Sequence, residues 1–351
     1  MDIEFHYYLT GIIAYRAGFS AESAHTIAYA SQFVDDNNES LNLSYKNQPY
    51  RNFISQTMNI LKPKESLMRI YPIFHFLPGE IADQGACRID GMANLLNCTP
   101  NSSNANRLME HVFGQKAIKD NKLHQIGVAS HTYADTWAHQ NFVGWHNPLN
   151  GIGKLLTPNI GHADARHHPD WVGHIWQDER LAQKTVNNNI RFIEASEHLY
   201  NHYLSFLGQG GKEYSDHSPL PWTQLKAELL QLMGETWEGD ELSFYDQRVE
   251  GYLKHPLWKI LSPSGEHRFN ELAWQEAAIK HIPHFPPKIF GWDLFPDEYH
   301  IINEEQFEKS DWYKFKEAVR EQEEFVINNI LADTYQQMEI NLVNYAIKGP
   351  S

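Results

Sequence analysis

A chain of 351 residues that is 42% hydrophobic and 13% aromatic can bury one large core or two ordinary ones, and its composition is not that of a disordered protein. Forty-four acidic against 29 basic residues give a formal net charge of -15, which excludes a broad basic face for duplex nucleic acid but not a small anionic substrate neutralised by bound cations. Two cysteines, Cys87 and Cys98, exclude a disulfide framework or a cysteine-rich zinc ribbon, so with twenty histidines any metal is expected on imidazole and carboxylate.

The opening, MDIEFHYYLTGIIAYRAGF, carries Asp2 and Glu4 where a secretory signal has basic residues, and no stretch reaches the ~20 apolar residues of a membrane span. The expectation is a protein that is cytoplasmic as synthesised, without signal peptide or transmembrane segment; export without a cleavable signal would leave no trace here. Asp2 is the expected N-cap of a first helix running to about Ala17, which puts Asp2 and His6 four residues apart. His6 is a ligand candidate, with a core histidine as the plainer alternative. Ser20 caps a second helix, AESAHTIAYASQFV, whose alanines suit close packing and which ends in Asp35 and Asp36. Carboxylates there face the negative end of the helix dipole, which a cation would offset. A solvated Asp/Asn turn is the alternative.

Residues 41 to 67 are mixed and polar. In IYPIFHFLPG the prolines and the alternation predict an extended segment that locks His75 between Phe74 and Phe76. Two short helices are expected over Asp90 to Asn97 and Asn104 to Phe113.

Leu123 to Gly144, LHQIGVASHTYADTWAHQNFVG, reads as one helix on which His131, Asp135 and His139 recur every four residues and share a face. At ~1.5 Å per residue the histidines stand ~12 Å apart along the axis with the carboxylate midway. Ligand bonds are only ~2.0 to 2.2 Å long, so an aspartate shared by two ions fits better than both imidazoles on one. A hydrogen-bonded polar stripe is the rival reading. Against it, Ala129, Ala134, Trp137, Ala138 and Phe142 suit a packed helix, whose buried polar groups need strong partners.

Further on, PNIGHADARHHPDWVGHIWQDER brings His162, Asp164, His167, His168, Asp170, His174 and Asp178 close together. Two completions of a metal site are open: His162 with Asp170, where Gly161 allows a tight approach, or His174 with Asp178, four apart if helical. Helices are then expected at about Val186 to Leu207, Trp222 to Glu235, Glu241 to Leu253 and Asn270 to His281, with a Pro-rich turn at HIPHFPPK and a long helix from Glu304 to Ala346. The resulting organisation is all-α: a metal-binding helical core over 1–207, a linker over 208–221, and a helical extension over 222–351 packed on the core.

His6, Asp36, His75, His131-x-x-x-Asp135, His139 and a later His with an acid resemble the trinuclear zinc phospholipase C and single-strand nuclease superfamily over roughly residues 1 to 205. In that group the Asp of a His-x-x-x-Asp helix bridges two zincs, and an N-terminal residue with a nearby His holds one of them. MDIEFHYY, SQFVDDN, FHFLPG and ADTWAHQNF also look like a bacterial family of similar length, a closer likeness that brings no function with it. The superfamily resemblance implies a phospholipase C/nuclease-like helical core with His75, His131, Asp135 and Asp36 around one zinc. Asp135 would bridge to a second zinc near Asp2 and His6, and His139 with His162 or His174 would hold the third. The sequence departs from the superfamily in two places. Its N-terminal ligand is a Trp exposed by signal cleavage, so Asp2 would substitute through its carboxylate; and the His after the bridging Asp comes at four residues rather than six. His162 and Asp170 are preferred for the third position because a turn presents His162.

The implied activity is metal-dependent phosphodiester hydrolysis, with two or three zinc ions or another divalent metal activating a water, and Asp35 or Asp36 as general base. Phe5, Tyr7, Phe74, Phe76, Trp137 and Trp145 are candidates for the pocket wall. The expected partner is a phospholipid or other small phosphodiester, met in transient contact with a membrane surface; duplex nucleic acid is not expected. Two alternatives stand beside it. A single-strand nuclease needs stacking aromatics and a positive channel, and only the aromatics are evident. A non-catalytic, metal-stabilised helical protein would have closed coordination shells.

Overall fold

The computed structural model describes residues 1–80, 88–114, 119–153, 159–262, 268–283, 297–340 and 342. Its elements follow one another as a π-helical segment Glu4–Leu9, α1 (Thr10–Arg16), α2 (Ala21–Asp36), β1 (Asn42–Tyr45), β2 (Gln48–Arg51), α3 (Lys64–Met68), a π-helical turn Tyr71–His75, α4 (Ser103–Gly114) and α5 (Lys122–Ala138). After α5 come β3 (Ile175–Gln177), β4 (Thr185–Asn187), α6 (Asn188–Gln209), α7 (Trp222–Met233), α8 (Tyr245–Lys254) and α9 (Pro256–Leu261). The described chain continues through α10 (Ala273–Ala278), β5 (Ile279–Ile282), β6 (Glu298–Ile301), α11 (Asp311–Phe325) and α12 (Ala332–Gln337). The protein is therefore mainly helical, as expected, and its sheets among the described residues are three short antiparallel pairs, β1 with β2, β3 with β4 and β5 with β6.

α5 is the axis. Every residue from Lys122 to Ala138 except Leu123 is buried, because α2, α4, α6, α11 and the turn at Tyr71–His75 surround it. The expected helix to Gly144 is cut short at His139. Asn141 takes a left-handed conformation (φ 67°), and Arg191 of α6 donates to the carbonyls of Trp137 and Ala138, satisfying the freed end. α2 begins as expected at Ser20, whose hydroxyl accepts from the Ser23 amide. At the start of the chain, Asp2 accepts from the Glu4 amide at 3.1 Å.

Several expectations are corrected. The segment around His75 is a helical turn, not extended: Pro72 stands in its first turn, where a missing N–H costs nothing, and the Phe76 amide closes the turn on Tyr71. Asp90 to Asn97 forms turns rather than a helix. His174 and Asp178 flank strand β3, so the helical spacing that would pair them does not exist. Asn270 to His281 is a short helix that passes into β5 at the β-branched Ile279. The long C-terminal helix is broken by the π-helical stretch Val326–Ile330, VINNI, a run of weak helix formers. Its expected end at Ala346 and most of HIPHFPPK lie outside the described residues.

Both halves of the chain share one apolar core, in which Trp258 and Trp312 are buried with Phe5, Phe192 and Phe315. The stretch expected as a linker is docked: the Ser20 amide donates to Tyr214 and the Leu220 amide to Arg16. A buried fork strengthens the tie. Arg248 of α8 donates from Nε and Nη2 to the two Glu4 oxygens at 2.7 and 2.8 Å, and Tyr252 adds 3.0 Å. No helix of the described residues is long and apolar enough to cross a membrane.

Candidate metal centre

Packing of α2 against α5 sets the end of one helix, with Asp35, beside His131 and Asp135 on the other, and the turn before Phe76 adds His75. His75 Nδ1 lies 3.2 Å from His131 Nε2 and 3.4 Å from Asp135 Oδ2; His131 Nε2 lies 3.2 Å from that oxygen. Asp35 Oδ1 stands at the edge of this group, 3.6 Å from His75 and 3.7 Å from His131, and falls in a second group with His131 and His6. Ligands ~2.0 to 2.1 Å from a tetrahedral cation stand about 3.3 to 3.4 Å from one another, and the three separations among His75, His131 and Asp135 match that figure.

The protons decide what such closeness means. The outer nitrogen of His75 donates to the Ser55 carbonyl at 2.9 Å, and that of His131 to the Ser31 carbonyl at 2.8 Å. In the neutral rings this leaves lone pairs on the two inner nitrogens, facing each other and two carboxylate oxygens. These acceptors repel one another unless a positive charge stands among them, either a bound cation or a proton on His75, whose pKa is raised against burial by Asp135 and Asp35. Carbonyls that fix the tautomer from behind are also the usual support of metal-binding histidines.

The other oxygen of Asp135 faces a second group. Oδ1 is 3.1 Å from His6 Nε2 and in contact with the Met1 amino nitrogen, which stands 3.4 Å from Asp170 Oδ1. His6 stacks on His131 at 3.8 Å between ring centres, and its Nδ1 finds no hydrogen-bond partner among the described residues. Asp170 leads on to a third group, with His139 Nε2 3.1 Å from Oδ1 and His162 Nε2 3.3 Å from Oδ2. There too the outer nitrogens donate to carbonyls, His139 to His75 and His162 to Arg166. Phe76 stacks on His139 at 4.3 Å, and Gly161 accepts the edge of that ring where a Cβ would lie 2.6 Å from it.

Electrostatics follow the same map. Burial works to raise the Asp135 carboxyl, but His139, the Met1 amino group, His131 and His6 hold it well below the usual carboxylate range. Asp170 is likewise held low against burial by His162, the amino group and His139. Burial, with His131 and the amino group, lowers His6 to about 3, so its ring is neutral. Two carboxylates remain charged and His6 remains neutral, the states in which each binds a metal.

A family model matches residues 1–330. The chain belongs to DUF6765, a family of unknown function. No curated protein and no solved structure matches it.

For this DUF6765 chain, His6, His75, His131, Asp135, His139, His162 and Asp170 are brought together, within three groups of ligating atoms that also include Asp35. Asp2 and Asp36 are not among them. The Asp2 carboxylate accepts from the Glu4 amide, and the Met1 amino group stands against Asp135 and Asp170 where the Asp2 carboxylate was expected. Asp36 points a residue's turn away from Asp35, accepts from Gln32 at 2.9 Å, and is raised to about 7 by burial. Asp35, expected with Asp36 as ligand or base, is the one of the two that stands beside His75 and His131. The choice rests on helix phase: Ser31, whose carbonyl holds His131, is four residues before Asp35, whereas Gln32 is four before Asp36. His174 turns to His168 at 2.8 Å and Asp178 to Arg180 at 2.7 and 2.8 Å, so this pair belongs to other networks. Of the aromatics, Phe5, Tyr7, Phe74 and Trp137 are core, Phe76 borders the centre, and the half-buried Trp145 packs on His146 instead.

Proposed function

We propose that the protein is a metal-dependent phosphodiester hydrolase of the phospholipase C type, holding two or three divalent cations and acting on phospholipids or other small phosphodiesters. The mixture of imidazole nitrogen and carboxylate oxygen suits zinc. The observation that supports the reading is the convergence of ligating atoms of His75, His131 and Asp135, with the second oxygen of Asp135 turned to His6.

Cations held by these residues would supply polarisation of phosphate oxygens, activation of a water and stabilisation of the leaving oxygen. Asp135, with its two oxygens facing different groups, would be shared between two positions, and Asp170, between the Met1 amino group and His139, would stand next to the third. Asp35 meets solvent: its side chain is 27% exposed, against 1% for Asp135. From that edge it orients the attacking water and accepts its proton. His162, 19% exposed, marks the open side at the third group. Positive charge for the phosphate comes from the cations, which agrees with an acidic chain that hydrolyses a lipid rather than tracking a long polyanion.

The test is metal analysis of the purified protein coupled to hydrolysis of phosphatidylcholine and of single-stranded DNA, repeated with Asp135→Asn. Stoichiometric metal and lipid hydrolysis, both lost in the variant, are the expected result. Cleavage of DNA alone would move the protein to the nuclease branch, and bound metal with neither activity would make the centre structural. Activity that survives loss of the metal would refute the mechanism.

A further inference from the structure

Leu61 and Met58 are the most exposed large hydrophobic side chains of the described residues, at 88% and 84%. They stand on one loop, 56–62, whose backbone is held in shape. Thr57 and Asn59 side chains accept from the amides of Asn59 and Leu61, the Lys62 amide closes on Asn59, and the Thr57 and Ile60 carbonyls accept from Tyr71 and His146. A fixed loop that projects two apolar side chains loses stability to water without a packing return inside the chain.

The loop adjoins the metal centre. Ser55, three residues before Met58, supplies the carbonyl that orients His75, and the amides of Ser55 and Gln56 bond to Asn37, two residues after Asp35. Charge is segregated here as well. Between residues 46 and 69 stand five basic residues and one acidic, in a chain of net charge -15. Lys46 and Arg69 pair with Glu308 and Glu323, whereas Lys62 and Lys64 flank the loop, the Lys64 ammonium lying 6.0 Å over the ring of Trp145. Side chains this exposed stand proud of the surface rather than lining a groove for a peptide. Two projecting apolar groups, flanking lysines and an amphipathic tryptophan suit a planar surface with an acyl interior and anionic headgroups.

We propose that loop 56–62 is a membrane-docking element. Met58 and Leu61 enter the acyl boundary of a bilayer, Lys62 and Lys64 meet anionic lipid headgroups, and the metal centre beside the loop is set against lipid phosphodiesters. The last clause rests on the hydrolase reading; the docking does not.

Sedimentation with vesicles tests it, using phosphatidylcholine alone and an equal mixture with phosphatidylglycerol. The protein is expected to pellet with the mixture, and less with phosphatidylcholine alone or at raised salt. Met58→Asp with Leu61→Asp abolishes pelleting, and Lys62→Ala or Lys64→Ala weakens partitioning onto the mixture by about five-fold each. All these side chains are on the surface, so an unchanged thermal midpoint accompanies the loss. Wild-type protein that stays in the supernatant with both vesicles overturns the proposal, as does a double variant that pellets like wild type. Hydrolysis of bis(p-nitrophenyl) phosphate, a soluble diester, separates the two readings. Vesicle binding without this hydrolysis leaves docking standing and removes the hydrolase; hydrolysis without vesicle binding does the reverse.

Discussion

His75 Nδ1 and His131 Nε2 lie 3.2 Å apart, and in the neutral rings the protons are committed to the Ser55 and Ser31 carbonyls behind them. Two facing lone pairs beside Asp135 disfavour the metal-free fold, so metal binding and stability are linked. Removing the metal with a chelator is expected to lower the thermal midpoint by several degrees, and zinc is expected to restore it. Metal should also leave as pH falls, imidazole protonation competing with the cation, and His75, whose pKa is raised against burial by Asp135 and Asp35, is the ring expected to take a proton first. Calorimetry with and without chelator, at pH 7.5 and 5.5, checks both; an unchanged midpoint would count against the centre.

Asp135 serves two groups of donors through different oxygens, whereas His162 serves one. Asp135→Asn should therefore release metal from two positions, and His162→Ala from one while leaving the rest bound. Metal content per chain, measured on each purified variant, separates the cases. Equal losses would mean that the groups fill as a unit or that Asp135 is no bridge.

Residue types and spacing revealed the helical class and most of the cluster, because His131 and Asp135 lie on one continuous helix where periodicity is informative. What they missed depends on tertiary position. The choice between Asp35 and Asp36 turns on the rotation of α2 about its own axis, which the packing of its alanine face decides. His139 sits at a C-cap rather than on the ladder, so a spacing of four misstates where it points. Proline at the start of a helical turn reads locally like the proline that breaks a helix, as around His75, and β3 dissolves the apparent His174/Asp178 spacing. The Glu4–Arg248 fork joins residues 244 positions apart, beyond the reach of any local pattern.

That fork predicts a large and specific destabilisation. Arg248→Met leaves the Glu4 carboxylate buried and unpaired, at a cost of about 3 to 5 kcal/mol. Glu4→Gln together with Arg248→Met removes the orphaned charge and should recover much of it. Denaturant unfolding of the single and double variants measures the difference, and a double variant no more stable than the single would show that the pair acts through packing.

Lys316 of α11 is buried between Phe33 and Trp312 and donates to Asn37. Burial lowers it to about 7, with Glu39 opposing. In the unfolded chain it stays protonated to ~10.4, so between those values the unfolded state holds more protons and stability rises with pH. Below pH 7 the folded state carries the full cost of the buried charge. Lys316→Met keeps the apolar stem and should be the more stable protein at pH 6, on the order of a few kcal/mol, the gap closing as pH approaches 10. Unfolding free energies of both proteins at pH 6, 8 and 9.5 test this; a constant gap would place the effect in packing instead of charge.

Gly127 connects packing to the site. A Cβ there would lie 2.5 Å from that of Ala30 and 2.7 Å from the Ile27 carbonyl, so α2 and α5 meet at this point only because the side chain is absent. Gly127 is one turn before His131, and Ala30 precedes the Ser31 carbonyl that holds the imidazole. Gly127→Ala must push the helices apart by several tenths of an ångström, for about 1 to 3 kcal/mol of strain. The same displacement carries Asp35 and the Ser31 carbonyl, 3.7 and 2.8 Å from His131, away from that ring and frees it to turn from the position where it meets His75 and Asp135. The variant is therefore expected to fold, melt lower and bind metal at the His75/His131 position at least ten-fold more weakly, while the position between His139, His162 and Asp170 keeps its affinity. Competitive titration against a chromogenic chelator reads the two positions as separate steps. Uniform weakening of both would mean that the strain spreads through the whole core rather than along the α2–α5 seam.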